Sequence, residues 1–291
     1  MWEPSKNAIH ISENDQSRSE FIKHLVQNEE ALSSHTRKPT NKIPKIIIQF
    51  WDDEDIPSDV KECTETWKQL KSMGFKHVLF NEDSARRFIV DNLHSDNVKA
   101  FDRCYHPAMK SDYFRLCFIS YSGGFYVDVD DVYCGIDVEN LLNDQRIKLQ
   151  PLCFDIDTNK MVDPEKFIIN GENSKNWIFY FNNNPIVAPP NNPIIEYALV
   201  RATRLILDCD EFDLPEIQST TGPGNLTASV VAYLSDHKTY MQDQFFDVLS
   251  DWQAYAQVVW ALSYRNDERN WRLSNRKQYE SVKSIIEKVK V

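Results

Sequence analysis

The spacing of apolar positions changes period along this chain, and each change predicts an element. "SRSEFIKHLVQNEEAL" carries Phe21, Leu25 and Leu32 at helical intervals, with Ile22 and Val26 beside them, and predicts an early helix in a polar segment. "SSHTRKPTNKIP" reads as a linker. The unbroken apolar run "KIIIQFW" then predicts a buried strand. "PSDVKECTETWKQLKSMG" has a Pro/Ser start and a Gly stop, which bound a helix. "KHVLF" predicts a second strand, and "SARRFIVDNL" and "VKAFDRCY" two short helices. "HPAMKSDYFRLCFISYSGG" places Pro107 at the first helical position and two glycines at the end; "FYVDV" follows as a strand.

Strands and helices thus alternate from residue 45 to 130, the pattern of an α/β sheet with parallel strands. Beyond residue 145 the order is less regular. "NPIIEYALVRATRLIL", "NLTASVVAYLS" and the terminal "SNRKQYESVKSIIEKVKV" predict helices. The expected division is a polar, helical appendage over 1–42 and one domain over 43–291.

Composition narrows the function. With 42% hydrophobic and 26% charged residues, 291 residues can bury a sizeable core. A net charge of −11 argues against a nucleic-acid polymer or an anionic membrane surface as main partner. A small phosphorylated ligand stays open, because a divalent cation can carry that contact. The six cysteines show no CxxC pair and no interleaved His, so free, mostly buried thiols are expected. No signal-peptide core opens the chain and no run approaches ~18 apolar residues, so cytoplasm is the expected address.

"GGFYVDVDDVYCG" concentrates the chemistry. Asp128, Asp130 and Asp131 crowd within four positions, and their repulsion needs protonation, water or a cation. On extended backbone Asp128 and Asp130 face the same way at the carboxyl end of the predicted strand. Open α/β sheets bind ligands there. One of the two aspartates can ligate a cation directly and the other directly or through water. Upstream, Asp112 and Arg115 share a helix face, and Gly123-Gly124 turns that helix into the aspartate strand. A calcium loop counted from Asp128 fails, since Tyr133 stands where the sharp turn needs Gly. Bland alternatives remain at each position: a solvated acidic loop, a surface ion pair, a core role for Trp51, and a helix cap from Thr220 or Thr221 in "TTGPGNLT". The sequon Asn225-Leu-Thr reads as chance.

Taken in order, "IPKIIIQFW", "HPAMKSDYFRL", "GGFYVDVDD" and "TTGPGNLT" resemble the DXD-containing sugar transferases of glycosyltransferase family 32. That family includes the initiating α-1,6-mannosyltransferases and is related to the glucosylating domains of large clostridial toxins. The resemblance covers roughly residues 43 to 265. It implies a GT-A fold, a Rossmann-like mixed sheet, mostly parallel and flanked by helices. It also implies a nucleotide-sugar donor, Mn²⁺ or Mg²⁺, and retention of anomeric configuration.

Residue by residue, the resemblance puts the metal on Asp128 and Asp130, and the donor sugar's hydroxyls on Asp112 and Arg115. It puts Tyr126 beside the sugar, Trp51 on the base, Asn184 near the transferred sugar, and Ser263 with Tyr264 over the diphosphate. A UDP-sugar is favoured, a GDP-sugar being the alternative. The acceptor is a glycan, glycolipid or polysaccharide, with peripheral membrane association allowed. The chain departs from the family at Ile48 and Val258-Val259, where His is frequent, and at Tyr264, where Trp is. The competing readings are a haloacid-dehalogenase-type phosphatase, an inactive sugar-nucleotide-binding protein, and an effector that glycosylates a protein.

Overall fold

The computed structural model describes residues 2–27, 43–210, 214–237 and 246–272. The chain opens with helices α1 (Lys6–Glu13) and α2 (Asp15–Gln27). The apolar run becomes β1 (Ile46–Phe50), which leads through α3 (Ser58–Trp67) to β2 (Lys76–Phe80). Helices α4 (Glu82–Asn92), α5 (Ser95–Arg103) and α6 (Pro107–Ser122) then return the chain to β3 (Gly124–Tyr126). A short β4 (Asp131–Tyr133) precedes β5 (Ile147–Asp155), β6 (Lys160–Met161) and β7 (Trp177–Ala188). Last come α7 (Pro193–Asp208), α8 (Ile217–Thr220), α9 (Pro223–Asp236), β8 (Phe246–Val248), α10 (Trp252–Tyr255) and β9 (Ala256–Val258).

One mixed sheet of seven strands, in the order β2-β1-β3-β7-β5-β6 with β8 beside β5, forms the centre, flanked by helices. Pairing is parallel among β2, β1 and β3, as the strand–helix alternation predicts, and parallel again between β5 and β8. β7 runs antiparallel to both β3 and β5. Register aligns Ile47, Phe125 and Val187 in one row and Ile48, Tyr126 and Ile186 in the next. The first row faces Trp67, Leu70 and Trp252; the second faces α6, α7 and α9. Both faces are therefore buried, which is why β1 reads as continuous apolar sequence. Ile48 is wholly enclosed in the larger core, so the apolar residue found there contributes about 1.5–3 kcal/mol of burial.

The N-terminal helices are seated on this core. Ile22, Leu25 and Val26 of α2 are buried, and the Phe179 N–H donates to Ser19 Oγ at 2.9 Å. The expected terminal helix over 274–291 and most of the expected linker lie outside the described residues. All six cysteines are free thiols, four of them buried.

The helix-to-strand turn requires glycine. Gly123 and Gly124 have φ of 64° and 118°, and a Cβ on Gly123 would meet Pro190 N at 2.5 Å. One expectation is corrected here. "FYVDV" does not stay extended through Asp130: β3 ends at Tyr126, and Val129-Asp130 form a turn closed by the Asp131 N–H on the Asp128 carbonyl at 3.3 Å. Side chains take over the ladder at this point. Asn184 Oδ1 accepts from the Asp128 N–H at 3.0 Å, and Gln49 Nε2 donates to the Asp128 carbonyl at 3.0 Å.

Candidate active site

A cleft of about 780 Å³ opens at the carboxyl ends of β1 and β3. Asp112, Arg115, Asp128, Asp130, Trp51 and Asn184 all line it. The helix-face pair and the aspartate turn do converge, through the guanidinium of Arg115. Its Nη2 lies 3.0 Å from Asp112 Oδ1 and 3.0 Å from Asp128 Oδ1. Nη1 donates to the Asn183 carbonyl at 2.7 Å, and the guanidinium lies 4.0 Å over the Tyr126 ring. Asp112 also accepts from Asn183 Nδ2 at 2.8 Å. Burial pushes the Asp112 pKa up to about 6 against the pull of Arg115.

The motif "TTGPGNLT" reaches the same point. A Cβ on Gly222 would stand 3.1 Å from Asp112 Oδ2, so the start of α9, with its electropositive end, packs on that carboxyl. Neither Thr220 nor Thr221 caps α9; Gly222 is the cap residue and makes no side-chain bond. Asn225 is fully buried, with Nδ2 donating to the Ala198 carbonyl at 3.0 Å. It is therefore closed to glycosylation in the folded chain.

The three aspartates have different surroundings. Asp128 is the one open to solvent, its side chain 33% exposed, and its Oδ1 also accepts from the Tyr126 hydroxyl at 2.9 Å. Asp130 is 8% exposed, and its Oδ2 accepts from the Tyr264 hydroxyl at 3.0 Å and from Arg265 Nη2. Burial, then the charge of Asp128, raises the Asp130 pKa to about 6. Asp131 is fully buried; Oδ2 accepts from Asn184 Nδ2 at 2.9 Å, and Oδ1 has no partner among the described residues. Burial pushes its pKa well above the usual carboxylate range, and the charges of Asp130 and Asp128 add to that.

Asn184 is thus a clamp: one amide fastens the Asp128 backbone and the Asp131 carboxyl. Asn184→Ala should destabilise the chain by about 1–3 kcal/mol, the cost of leaving such buried groups unpaired. Urea denaturation checks this; a midpoint equal to the parent's would contradict the clamp.

Tyr126 stands elsewhere than beside the cleft. Its ring is 1% exposed and is not part of the cleft wall, so it acts from beneath, through its hydroxyl on Asp128. Trp51 is on the wall, held by Nε1 donating to the Asp55 carbonyl at 3.1 Å and covered edge-on by Tyr264. Ser263 points away, with Oγ donating to Asp59 at 3.0 Å. Val258-Val259 run along the aspartate turn, β9 pairing with β4, and the Val259 N–H donates to the Asp130 carbonyl at 2.8 Å. That segment offers backbone but no polar side chain.

Two kinds of residue at the site lie outside the sequence motifs. Asn183 neighbours a candidate, and the run of three asparagines was the available signal. Arg265, Arg269 and Trp260 line the cleft from "WALSYRNDERNWR", where arginines alternate with aromatic residues. Arg269 pairs with Asp52 at 3.1 Å and lies 5.3 Å over Trp51.

Residues 57–147 match the glycosyltransferase sugar-binding region containing the DXD motif. An uncharacterised glycosyltransferase of Acanthamoeba polyphaga mimivirus is 24% identical over 199 residues, 68% of each chain. The mannosyl phosphorylinositol ceramide synthase of Saccharomyces cerevisiae is 31% identical over 103 residues, 35% of this chain and 26% of that one. The inositol phosphoceramide mannosyltransferase 2 of Schizosaccharomyces pombe is 29% identical over 89 residues, 31% of this chain and 25% of that enzyme. Among solved structures, the PaToxG glycosyltransferase superposes with a TM-score of 0.43 at 17% identity, covering 86% of this chain and 88% of that one. The matched residues 57–147, which resemble the DXD-containing sugar-binding region of glycosyltransferases, include Asp112, Arg115, Asp128 and Asp130.

Proposed function

We propose that this chain is a retaining, metal-dependent transferase of GT-A type that moves a glycosyl group from a nucleotide sugar to an acceptor hydroxyl. The observation that carries the reading is the meeting of Asp128 and Asp130 on one turn with Arg115 and Asp112 on the wall of one cleft. Residues 43–291 are read as the catalytic domain, with 1–42 as its appendage and the cytoplasm as its compartment. No helix among the described residues is long and apolar enough to cross a membrane.

The residues present fit a divalent cation. The donors are hard carboxylate oxygens suited to Mn²⁺ or Mg²⁺. Asp131 keeps a buried, unpartnered Oδ1 within the same crowded turn, and a cation would relieve that crowding. No third His, Cys, Asp or Glu joins Asp128 and Asp130 as a preformed cage among the described residues. Water and donor phosphate oxygens would complete the shell. When bound, the cation would offset the negative charge that grows on the departing diphosphate.

The protein's own groups do the remainder. Arg115 holds Asp112 and Asp128 at fixed separation, and Asp112 with Asn183 faces the donor sugar. Trp51 provides the surface for the nucleotide base. Asn184 keeps the turn in shape. Tyr264 brings the C-terminal segment over Asp130, where the diphosphate would lie. Same-face attack, with the leaving phosphate as base, accounts for retention without a protein nucleophile. The yeast enzymes, by their names, mannosylate inositol phosphoceramide, which favours a glycolipid among glycan, polysaccharide and glycolipid acceptors.

Calorimetric titration with UDP and with GDP, each in Mn²⁺ and then in EDTA, tests the reading. Binding of one of them in Mn²⁺ and its loss in EDTA are expected, UDP being favoured. Binding of neither would remove the reading.

A further inference from the structure

Each carboxylate of the DXD pair faces a guanidinium, Arg115 at Asp128 and Arg265 at Asp130. The two are held very differently. Arg115 is built into the core by the Asn183 carbonyl, the Ser111 hydroxyl at 3.2 Å and the Tyr126 ring. It cannot leave without unpacking α6. Arg265 sits on a single turn, Ser263–Asn266, late in the described chain. Its guanidinium reaches Asp130 and lies 4.5 Å over Trp260, a ring that is 65% exposed. Its Nε is buried with no hydrogen-bond partner among the described residues, so the present position satisfies it incompletely.

Arg115 and the Tyr126 hydroxyl hold Asp128 by Oδ1, which leaves Oδ2 for a cation, whereas Arg265 and the Tyr264 hydroxyl hold Asp130 by Oδ2, so a divalent cation that takes Asp130 by that oxygen displaces the guanidinium, by competition for its lone pairs and by like charge. Resting on the transferase reading above, we infer that Arg265 is the counter-ion of Asp130 until a divalent cation displaces it, and that the released guanidinium then binds the donor diphosphate. The planar fork of arginine suits phosphate oxygens, which would also satisfy the unpartnered Nε. Arg265 lines the cleft that holds Trp51 and Asp128, so the new position is within the same space. Cation and nucleotide therefore support one another: the cation frees Arg265, and the diphosphate rewards its release.

The test is Mn²⁺ binding by calorimetry without nucleotide, then UDP or GDP binding in saturating Mn²⁺, for the parent and Arg265→Gln. Arg265→Gln is expected to bind Mn²⁺ alone about tenfold more tightly, as if Arg265 blocked nine sites in ten. It is expected to bind nucleotide about tenfold more weakly. A folded variant that binds Mn²⁺ no better than the parent overturns the counter-ion role. One that gains Mn²⁺ affinity yet keeps its nucleotide affinity overturns the phosphate role. If Arg265→Gln does not fold, Trp260→Ala carries the test. It removes the ring that holds the guanidinium over Asp130 and should tighten Mn²⁺ binding about threefold, the worth of an exposed cation–π contact. Trp260→Ala with unchanged Mn²⁺ affinity overturns the inference. A parent that binds nucleotide in Mn²⁺ while Arg265→Gln fails these expectations leaves the transferase reading intact. A parent that binds neither ends both.

Discussion

Asp130→Asn is expected to abolish metal-dependent nucleotide binding and to lower transfer by about a thousandfold, with the fold unchanged. A cation's stabilisation of the leaving diphosphate is worth several kcal/mol, and ~4 kcal/mol corresponds to that factor. The fold should tolerate the change because the Asp130 carboxyl is unfavourably placed as a charge. In the folded chain it holds its proton up to about pH 6, against 3.8 for an ordinary aspartate. Its contribution to stability is fully present below pH 3.8 and is lost as pH rises through about 6. At pH 7 a neutral amide of the same shape removes that penalty, and its oxygen still accepts from the Tyr264 hydroxyl and from Arg265 Nη2, so the partly exposed guanidinium keeps a partner. Calorimetry in Mn²⁺ and a thermal melt by circular dichroism together check this. An Asn variant that binds nucleotide and Mn²⁺ as tightly as the parent would sink the metal assignment.

Arg115→Ala should damage both structure and chemistry. The resemblance, which puts the donor sugar's hydroxyls on Arg115, implies that its loss impairs sugar turnover more than nucleotide affinity. Its buried position adds a second consequence. Its removal leaves the Asp112 carboxylate, side chain 11% exposed, without its ion pair and exposes Asp128 to uncompensated repulsion from Asp130. Breaking one side of a buried pair costs about 3–5 kcal/mol, on the order of 10 °C in Tm for a domain of this size. Asp112→Asn in the same chain should restore part of that loss, since it removes the stranded charge. The melting temperatures of the single and double variants decide the matter: an Arg115→Ala melt within about 2 °C of the parent's contradicts the network.

The legible parts of this protein are those governed by near neighbours in the chain. The run "KIIIQFW" had to be a strand buried on both faces, and Pro107 with Gly123-Gly124 had to bracket a helix, because sterics and period act over a few residues. Asp112 and Arg115 shared a face by helical geometry alone. By contrast, β7 was hidden, since "WIFYFNNNPIVA" interrupts its apolar pattern with three asparagines and a proline. Those asparagines make sense only once Asn183 meets Asp112 and Asn184 meets Asp128 and Asp131. The early end of β3 has a related cause: the Asn184 and Gln49 side chains take the Asp128 N–H and carbonyl that a ladder partner would have bonded.

Local pattern dictates the parallel half of the sheet, the helix that carries Asp112 and Arg115, and the clustering of three like charges at a strand's end. Tertiary structure alone decided which positive charges answer them. Arg115 meets Asp128 through a glycine turn, and Arg265 meets Asp130 across more than a hundred residues, when β9 pairs with β4. Charge pairing depends on distance in space, and no local pattern encodes a distance that only the folded chain creates.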